Sequence, residues 1–110
     1  MVRLSLTLNE PDRRSHHLGD ALRSVARATR LEEGCLGCHV RLEDDGETCL
    51  VHYEETWMSE PDMRRRVRSG CFTPVLAIME RSREAPDLRF DFVTTTRGLD
   101  YVAEVRGADA

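Results

Sequence analysis

The chain has 110 residues, 40% hydrophobic and 33% charged, which is the composition of one globular domain. Its formal net charge is −4 and all 16 basic residues are arginine, which gives no support to non-specific nucleic-acid binding and leaves no lysine for a Schiff base. No apolar run approaches a membrane span and the N-terminus does not resemble a signal peptide, so we expect a cytoplasmic protein with reduced cysteines and no membrane partner.

The N-terminal third of the chain predicts one strand and one helix. Residues 2–8 alternate strictly, which predicts a strand with Val2, Leu4, Leu6 and Leu8 on one face. The sequence Asn-Glu-Pro-Asp at 9–12 predicts the start of a helix that runs to about residue 30. Gly34 is then the expected stop.

The middle of the chain predicts a hairpin. Strand two covers roughly 35–42, and the Asp-Gly pair within 43–47 is a hairpin-turn signal. In this strand Leu36 and Cys38 are expected to share one face, and Cys35 and His39 the other. Strand three covers about 48–56, and its alternation continues to residue 57. One face of it then carries Cys49, Val51, Tyr53, Glu55 and Trp57.

The last third predicts helix and a final strand. The sequence Ser-Glu-Pro-Asp at 59–62 has the pattern of a capping box and predicts a short helix, and a second helical segment covers about 72–83. Residues 88–96 predict the last strand, whereas the apolar residues of the tail from residue 98 match neither the alternation of a strand nor the spacing of a helix decisively. The order βαββαβ predicts an α+β ferredoxin-like fold over residues 1–97, with a four-stranded antiparallel sheet of order 4-1-3-2 and a tail at 98–110.

The helices of such a fold cover one face of the sheet. We expect the other face to include apolar residues, among them Tyr53 and Phe90, which would need cover in their turn. A two-fold homodimer that packs sheet on sheet would provide this cover, so the chain itself is a predicted partner.

Three motifs carry a resemblance to a known family. They are Thr29-Arg30-x-Glu32-x-Gly34-Cys35-Leu36-Gly37, Tyr53-Glu54-Glu55-x-Trp57-x-Ser59-Glu60, and Val67-Arg68-Ser69-x-x-Phe72. Together they resemble the antibiotic biosynthesis monooxygenase (ABM) family, over about residues 2–96. The resemblance implies a dimeric α+β barrel with a pocket between sheet and helices. Members include cofactor-free oxygenases of quinols and anthrone-like phenols, haem-degrading enzymes and an isomerase of a sugar phosphate.

The departures from the family pattern narrow what the resemblance implies. A histidine common in the family is replaced by Arg66, and another by Cys71. The positions that match the asparagine, tryptophan and histidine of the haem-degrading branch hold Leu4, Arg66 and Leu76, which disfavours haem degradation; the isomerase activity is also less favoured. The resemblance therefore favours an oxidoreductase that needs no cofactor and no metal and acts on a small aromatic or quinol-type molecule.

The candidate site residues come from strand three, its neighbour and the resemblance. Tyr53, Glu55 and Trp57 would form a pocket wall with one carboxylate; the alternative is that the aromatics pack the core and Glu55 pairs with an arginine. His39 and His52 are candidate bases, since imidazole titrates near neutral pH, and the alternative is a surface or interface role. The resemblance adds two further positions to substrate binding, Arg66 and Phe72.

The segment Cys35-Leu36-Gly37-Cys38-His39 matches the motif for c-type haem attachment and the cysteine spacing of redox and zinc sites. If the segment is extended, its two thiols lie on opposite faces about 10 Å apart, which disfavours these roles. A thiol- or metal-dependent sensor stays the weakest alternative. The stronger alternative to the enzyme is a non-catalytic dimeric module for a small ligand or a protein. A pocket below about 300 Å³, or one plugged by Trp57 and Met79, would favour that module.

Overall fold

A computed structural model of the chain describes residues 1–12 and 14–108. Its four strands form one antiparallel sheet in the order β2-β3-β1-β4, which confirms the predicted ferredoxin-like topology. No helix in the described part of the chain is long and apolar enough to cross a membrane. The elements are β1 (Val2–Asn9), α1 (His17–Thr29), β2 (Cys35–Asp44), β3 (Cys49–Trp57), α2 (Glu60–Arg68), a 3-10 turn (Gly70–Phe72), α3 (Thr73–Met79), β4 (Asp87–Phe92) and α4 (Leu99–Ala108).

The core lies between the sheet and helices α1 to α3. The two central strands alternate strictly between buried and half-exposed side chains, as their sequence pattern predicts. Leu4 of β1 pairs with Glu55 of β3 and Leu6 pairs with Tyr53, so the inward face of β3 meets a row of leucines. On the other side of β1, Leu4 pairs with Phe90.

The open face of the sheet differs from the prediction. Tyr53 and Phe90 were expected there, but the strand register places both on the side that faces the helices. The open face is mostly polar because the residues opposite Arg3, Ser5 and Thr7 of β1 are polar too; on β3 and β4 these are Thr56, Glu54, His52, Asp91, Arg89 and Asp87. The apolar surface that was expected to require a second sheet is therefore missing from this face.

Helix α1 begins later than its sequence signal predicts. Asp12 accepts bonds from the N–H groups of Arg14 and Ser15 and forms a turn, and the helix starts at His17. The cap comes from Glu10, whose buried carboxylate accepts the N–H of Leu18 at 3.0 Å and that of Gly19 at 3.3 Å. An acidic side chain is favourable there because the first N–H groups of a helix have no partner within it.

A bulge in β2 corrects the expected arrangement of the two nearby cysteines. The register shifts between residues 35 and 37, so that Cys35 pairs with Trp57 and Cys38 pairs with Glu55. Because Glu55 and Trp57 both face inward, both cysteines lie on the helix side, whereas strict alternation placed them on opposite faces. The same bulge leaves Leu36 54% exposed, although it was expected on the face of Cys38.

The C-terminal elements follow the prediction with shorter bounds. Ser59 caps α2, since its Oγ accepts the N–H of Asp62 and donates to the Asp62 carboxylate, as the capping-box pattern predicts. Helix α3 ends at Met79 and not near residue 83, because the chain there turns back and Arg83 donates its N–H to the Asn9 carbonyl. The tail, for which the sequence favoured no structure, forms α4.

Candidate functional site

A buried carboxylate stands at the centre of the helix-facing side of β3. Glu55 has no exposed surface, and its neighbours two residues away on the strand, Tyr53 and Trp57, are buried with it. The Tyr53 hydroxyl donates to Glu55 Oε2 at 2.5 Å and the Trp57 indole N–H donates to Oε1 at 2.9 Å. The alternation of the strand therefore brings two aromatic donors onto one carboxylate.

Helix α2 supplies the countercharge. Arg66 is 3% exposed and donates to Glu55 from Nε at 3.1 Å and from Nη2 at 2.9 Å. Its remaining N–H groups donate to Thr29 Oγ1 at 2.9 Å and to the Cys71 carbonyl at 3.2 Å. The guanidinium also lies 5.4 Å from the centroid of the Phe72 ring. Arg66 thus ties β3, α1 and the 3-10 turn together.

Burial alone would lower the pKa of Arg66, but hydrogen bonding to Glu55 and its charge outweigh that effect and raise the pKa. The side chain is therefore a permanent cation. The same surroundings affect the neighbouring acids. Burial, followed by the charge of Glu55, raises the pKa of Tyr53 far above its usual range, and burial raises that of Cys38 to about 12. Neither group is ionised at neutral pH, so neither serves as the base.

A second carboxylate approaches the same arginine from the α1–β2 connection. Glu32 Oε2 lies 3.3 Å from Arg66 Nη1, and the Glu32 side chain is 32% exposed. This oxygen atom is buried and accepts no hydrogen bond from the described residues. With Glu55 and Glu32 negative and Arg66 positive, the cluster has a formal charge of −1 (−1 −1 +1). Glu32 is its available proton acceptor.

Two clefts meet at this cluster. One of about 430 Å³ lies between α1 and the segment 66–74, and it is within the size range of ligand sites. The other, of about 220 Å³, includes Trp57. Both are lined by Glu32 and Arg66, and neither is lined by Met79. The larger cleft is lined by Ser24, Val25, Ala28, Thr29, Glu32, Arg66, Cys71 and Pro74.

The two histidines predicted as bases lie on the other side of the sheet. His52 is hydrogen-bonded to Thr7 at 3.3 Å and to Glu43 at 2.8 Å, and His39 is exposed on the neighbouring strand. Both line a depression of about 310 Å³ on the open face. A ligand in the clefts beside Arg66 cannot reach them, so their catalytic role stays a prediction that requires a ligand on the open face.

The structure thus divides the predicted site residues into two groups. Five of them form one cluster: Tyr53, Trp57 and Arg66 donate to the Glu55 carboxylate, and the Phe72 ring lies beside the Arg66 guanidinium. Sequence reasoning missed Glu32 as a site residue, although it stands within the first of the three motifs. Within the described residues, no group of His, Cys, Asp and Glu side chains is arranged to hold a metal ion.

Comparisons with known proteins agree with the fold. The sequence model of the family described as "Antibiotic biosynthesis monooxygenase" matches residues 1–76. A proposed antibiotic biosynthesis monooxygenase from Deinococcus radiodurans superposes with a TM-score of 0.73 at 22% identity, over 89% of this chain and 97% of that chain. One from Nitrosomonas europaea has a TM-score of 0.68 at 12% identity, over 86% and 100%. A conserved protein from Methanosarcina mazei has a TM-score of 0.65 at 21% identity, over 82% and 89%. At these identities the structural likeness shows the fold alone. No curated protein matches the chain.

Proposed function

The chain belongs to the antibiotic biosynthesis monooxygenase family, and on that premise we propose that it is a cofactor-independent monooxygenase of a small, uncharged phenol or quinol. The substrate would bind in the cleft of about 430 Å³ between α1 and the segment 66–74. Glu32 would take the proton of the substrate, and Arg66 would stabilise the negative charge that develops.

The observation that carries this proposal is the pair of Glu32 and Arg66 at the cleft. A buried carboxylate oxygen without a hydrogen bond is rare in folded proteins, and here it lies beside a permanent cation at the wall of a ligand-sized cleft. A base and a fixed positive charge at one place are what proton abstraction from a phenol requires. Apolar lining by Val25, Ala28 and Pro74 suits an aromatic ring.

The reaction needs no group besides the substrate and oxygen. Glu32 accepts the proton, and the resulting anion passes one electron to O₂, which gives a substrate radical and superoxide. These combine into a carbon–oxygen bond, and the hydroperoxide loses water to leave a carbonyl. One CH₂ of the keto tautomer and one O₂ thus become one C=O and one H₂O, and the protein is unchanged.

The charge of the cluster restricts the ligand. Glu55 already neutralises Arg66, so Glu32 leaves the site with one net negative charge. An anionic ligand would be repelled in a partly buried place where charges are weakly screened. The site therefore favours a neutral phenol over a sugar phosphate or a carboxylic acid, which agrees with the quinol-type substrate that the family resemblance implies.

Oxygen consumption with a panel of quinols and anthrones tests the proposal. Loss of a general base lowers turnover by about 100-fold or more, so Glu32→Gln should abolish most of the activity. The matched variant is Glu33→Gln, which changes the adjacent carboxylate outside the larger cleft. If His52→Gln removes the activity and Glu32→Gln does not, the reaction takes place on the open face and the proposal is wrong.

One observation favours the non-catalytic alternative. Tyr53, Trp57 and Arg66 all donate to Glu55, so most of the polar groups in the cluster are already paired and bind the elements together. In a purely structural cluster no panel member would be turned over, and Glu32→Gln would leave ligand binding unchanged. Binding of the panel compounds can be followed by the fluorescence of Trp57. A compound that binds without oxygen consumption indicates a ligand-binding module and not an enzyme.

A further inference from the structure

The open face of the sheet carries the depression of about 310 Å³ that the proposed reaction does not use. Its floor lies at Ser5 and Thr7 of the central strand β1, whose side chains are short. The strand register sets longer side chains on both sides of this floor, namely Glu54 and His52 on β3 and Arg89 on β4. The result is a concave polar surface whose volume is near the lower limit of ligand sites, which suits a small molecule.

Two acidic side chains at this depression are already paired. Glu54 lies 3.4 Å from the Nε atom of Arg3, which is outside the depression. Glu43 lies 2.8 Å from Nε2 of His52, and the Thr7 hydroxyl lies 3.3 Å from the other ring nitrogen. The His52 ring is therefore held at both nitrogens and forms a fixed part of the wall.

Two arginines that line the depression have no partner. Arg41 belongs to β2 and Arg89 to β4, which are the two edge strands, so the arginines stand on opposite sides. Among the residues that the structure describes, neither of them makes an ion pair or a side-chain hydrogen bond. Asp87 and Asp91 share the open face of β4 with Arg89, but neither approaches it to ion-pair distance. Both guanidinium groups are therefore available to a ligand.

The charge of the depression selects an anion. Two arginines and one glutamate line it, so its formal charge is +1 when the histidines are neutral, opposite to that of the cluster around Glu32 and Arg66. A guanidinium binds a carboxylate through two parallel hydrogen bonds. Strands β2 and β4 are three strand spacings apart, about 14 Å, and side chains stand roughly perpendicular to a sheet. A molecule with a carboxylate at each end can thus engage both arginines.

We propose that the depression on the open face binds a short dicarboxylate such as succinate, with one carboxylate on Arg41 and the other on Arg89. The Ser5 hydroxyl and the His39 imidazole also line the depression and are available as further donors. All of these side chains come from one chain, so the site is complete without a second copy. The sheet separates this site from the cleft beside Arg66, so the binding does not depend on the reaction proposed there.

NMR titration of the isotope-labelled full chain with succinate at low ionic strength tests the proposal. The amide signals of Ser5, His39 and Glu54 should shift and saturate, whereas those of Ser24 and Val25 in the larger cleft should stay in place. Butyrate is the matched ligand, because it has the same number of carbon atoms and one carboxylate. It should bind at least about 10-fold more weakly, the usual effect of losing a contact between charged groups. Added salt should weaken succinate binding, since the arginines are exposed.

Two arginine variants test whether the ligand spans the depression. Arg41→Gln and Arg89→Gln should each weaken succinate binding about 10-fold, to the affinity that butyrate has for the wild type. Arg81→Gln is the matched control, because Arg81 is exposed and lies outside the depression. Circular dichroism establishes that each variant is folded.

Four results would overturn the proposal. They are the absence of saturable shifts on the open face, equal affinities for succinate and butyrate, unchanged succinate affinity in both Arg41→Gln and Arg89→Gln, and an equal loss of affinity in Arg81→Gln. The last result would indicate a general attraction of anions to basic side chains. Inorganic phosphate belongs to the same titration series, and tighter binding of phosphate than of succinate would likewise contradict a site that spans two carboxylates.

Discussion

Replacement of Arg66 by methionine should strongly destabilise the fold. Methionine keeps much of the length of the side chain but removes the guanidinium, which makes bonds to Glu55, Thr29 and the Cys71 carbonyl. Glu55 would keep only the Tyr53 and Trp57 donors. Its carboxylate would then be a buried charge without a countercharge, which is the unfavourable part of breaking a buried ion pair.

The size of the expected loss of stability follows from the burial of Glu55 and Arg66. Because the Glu55 side chain is 0% exposed and that of Arg66 1%, water cannot replace the lost partner, and the free energy of unfolding should fall by about 3–5 kcal/mol. A domain of this size has a total stability of about 5–15 kcal/mol, so this loss is a large part of it. The unfolding midpoint should decrease by more than about 10 °C.

The assay is urea unfolding followed by fluorescence of Trp57, the single tryptophan, which donates to Glu55 in the folded state. Arg64→Met is the matched control on the same helix. Arg64 pairs with Glu60 at 3.2 Å, but its side chain is 69% exposed, so its loss should change stability by less than about 1 kcal/mol.

The double variant Glu55→Gln/Arg66→Met identifies the cause. It removes both charges and leaves an amide whose single oxygen can accept from the Trp57 indole N–H and whose NH2 group can donate to the Tyr53 hydroxyl, so it should be only about 1–3 kcal/mol less stable than the wild type. It should therefore be more stable than Arg66→Met alone. If the double variant is no better than the single one, lost packing and not a buried charge explains the effect, and the reasoning is refuted.

Three further predictions follow from local geometry. The exposed thiol of Cys71 should react with a disulfide reagent in a fast phase. The buried thiol of Cys38, whose pKa is raised to about 12, should react only when the protein unfolds. Cys71→Ser should remove the fast phase. Gly34→Ala should lower the thermal unfolding midpoint more than Gly46→Ala does. Both glycines have a positive φ (86° and 91°), but only at residue 34 would the added Cβ also collide with Asp62, at 2.5 Å. Equal losses in the two variants would contradict this explanation. Hydrogen bonding to the Ser59 hydroxyl, and then Arg65, holds the pKa of Asp62 below its usual 3.8. The stability that Asp62 contributes is therefore present above pH 3.8 and is lost as pH falls through the lower pKa of the folded state. The free energies of unfolding of the wild type and of Asp62→Asn should therefore converge in acid. A difference that stays constant with pH would contradict the assignment.

The sequence by itself determined the order of the strands and of the helices between them, and which residues of each central strand share a face. Strict alternation in β1 and β3 has one solution in a sheet with a single buried face, so Tyr53, Glu55 and Trp57 could be placed together without coordinates. The capping pattern at Ser59 likewise determined where α2 begins. The start of α1 was wrong because its cap, Glu10, lies outside the usual capping position.

Only the tertiary structure decided which residues share a site. Alternation says that His52 and Glu55 face opposite ways, but not which face the helices cover, and the candidate bases were assigned without that knowledge. The bulge that turns Cys35 inward leaves no local signal in the sequence, since one extra residue reverses every side chain on one side of it. The approach of Arg66 to Glu55 and Glu32 joins three elements that are distant along the chain. Their distances follow from the packing of helix on sheet, which a pattern within one element cannot determine.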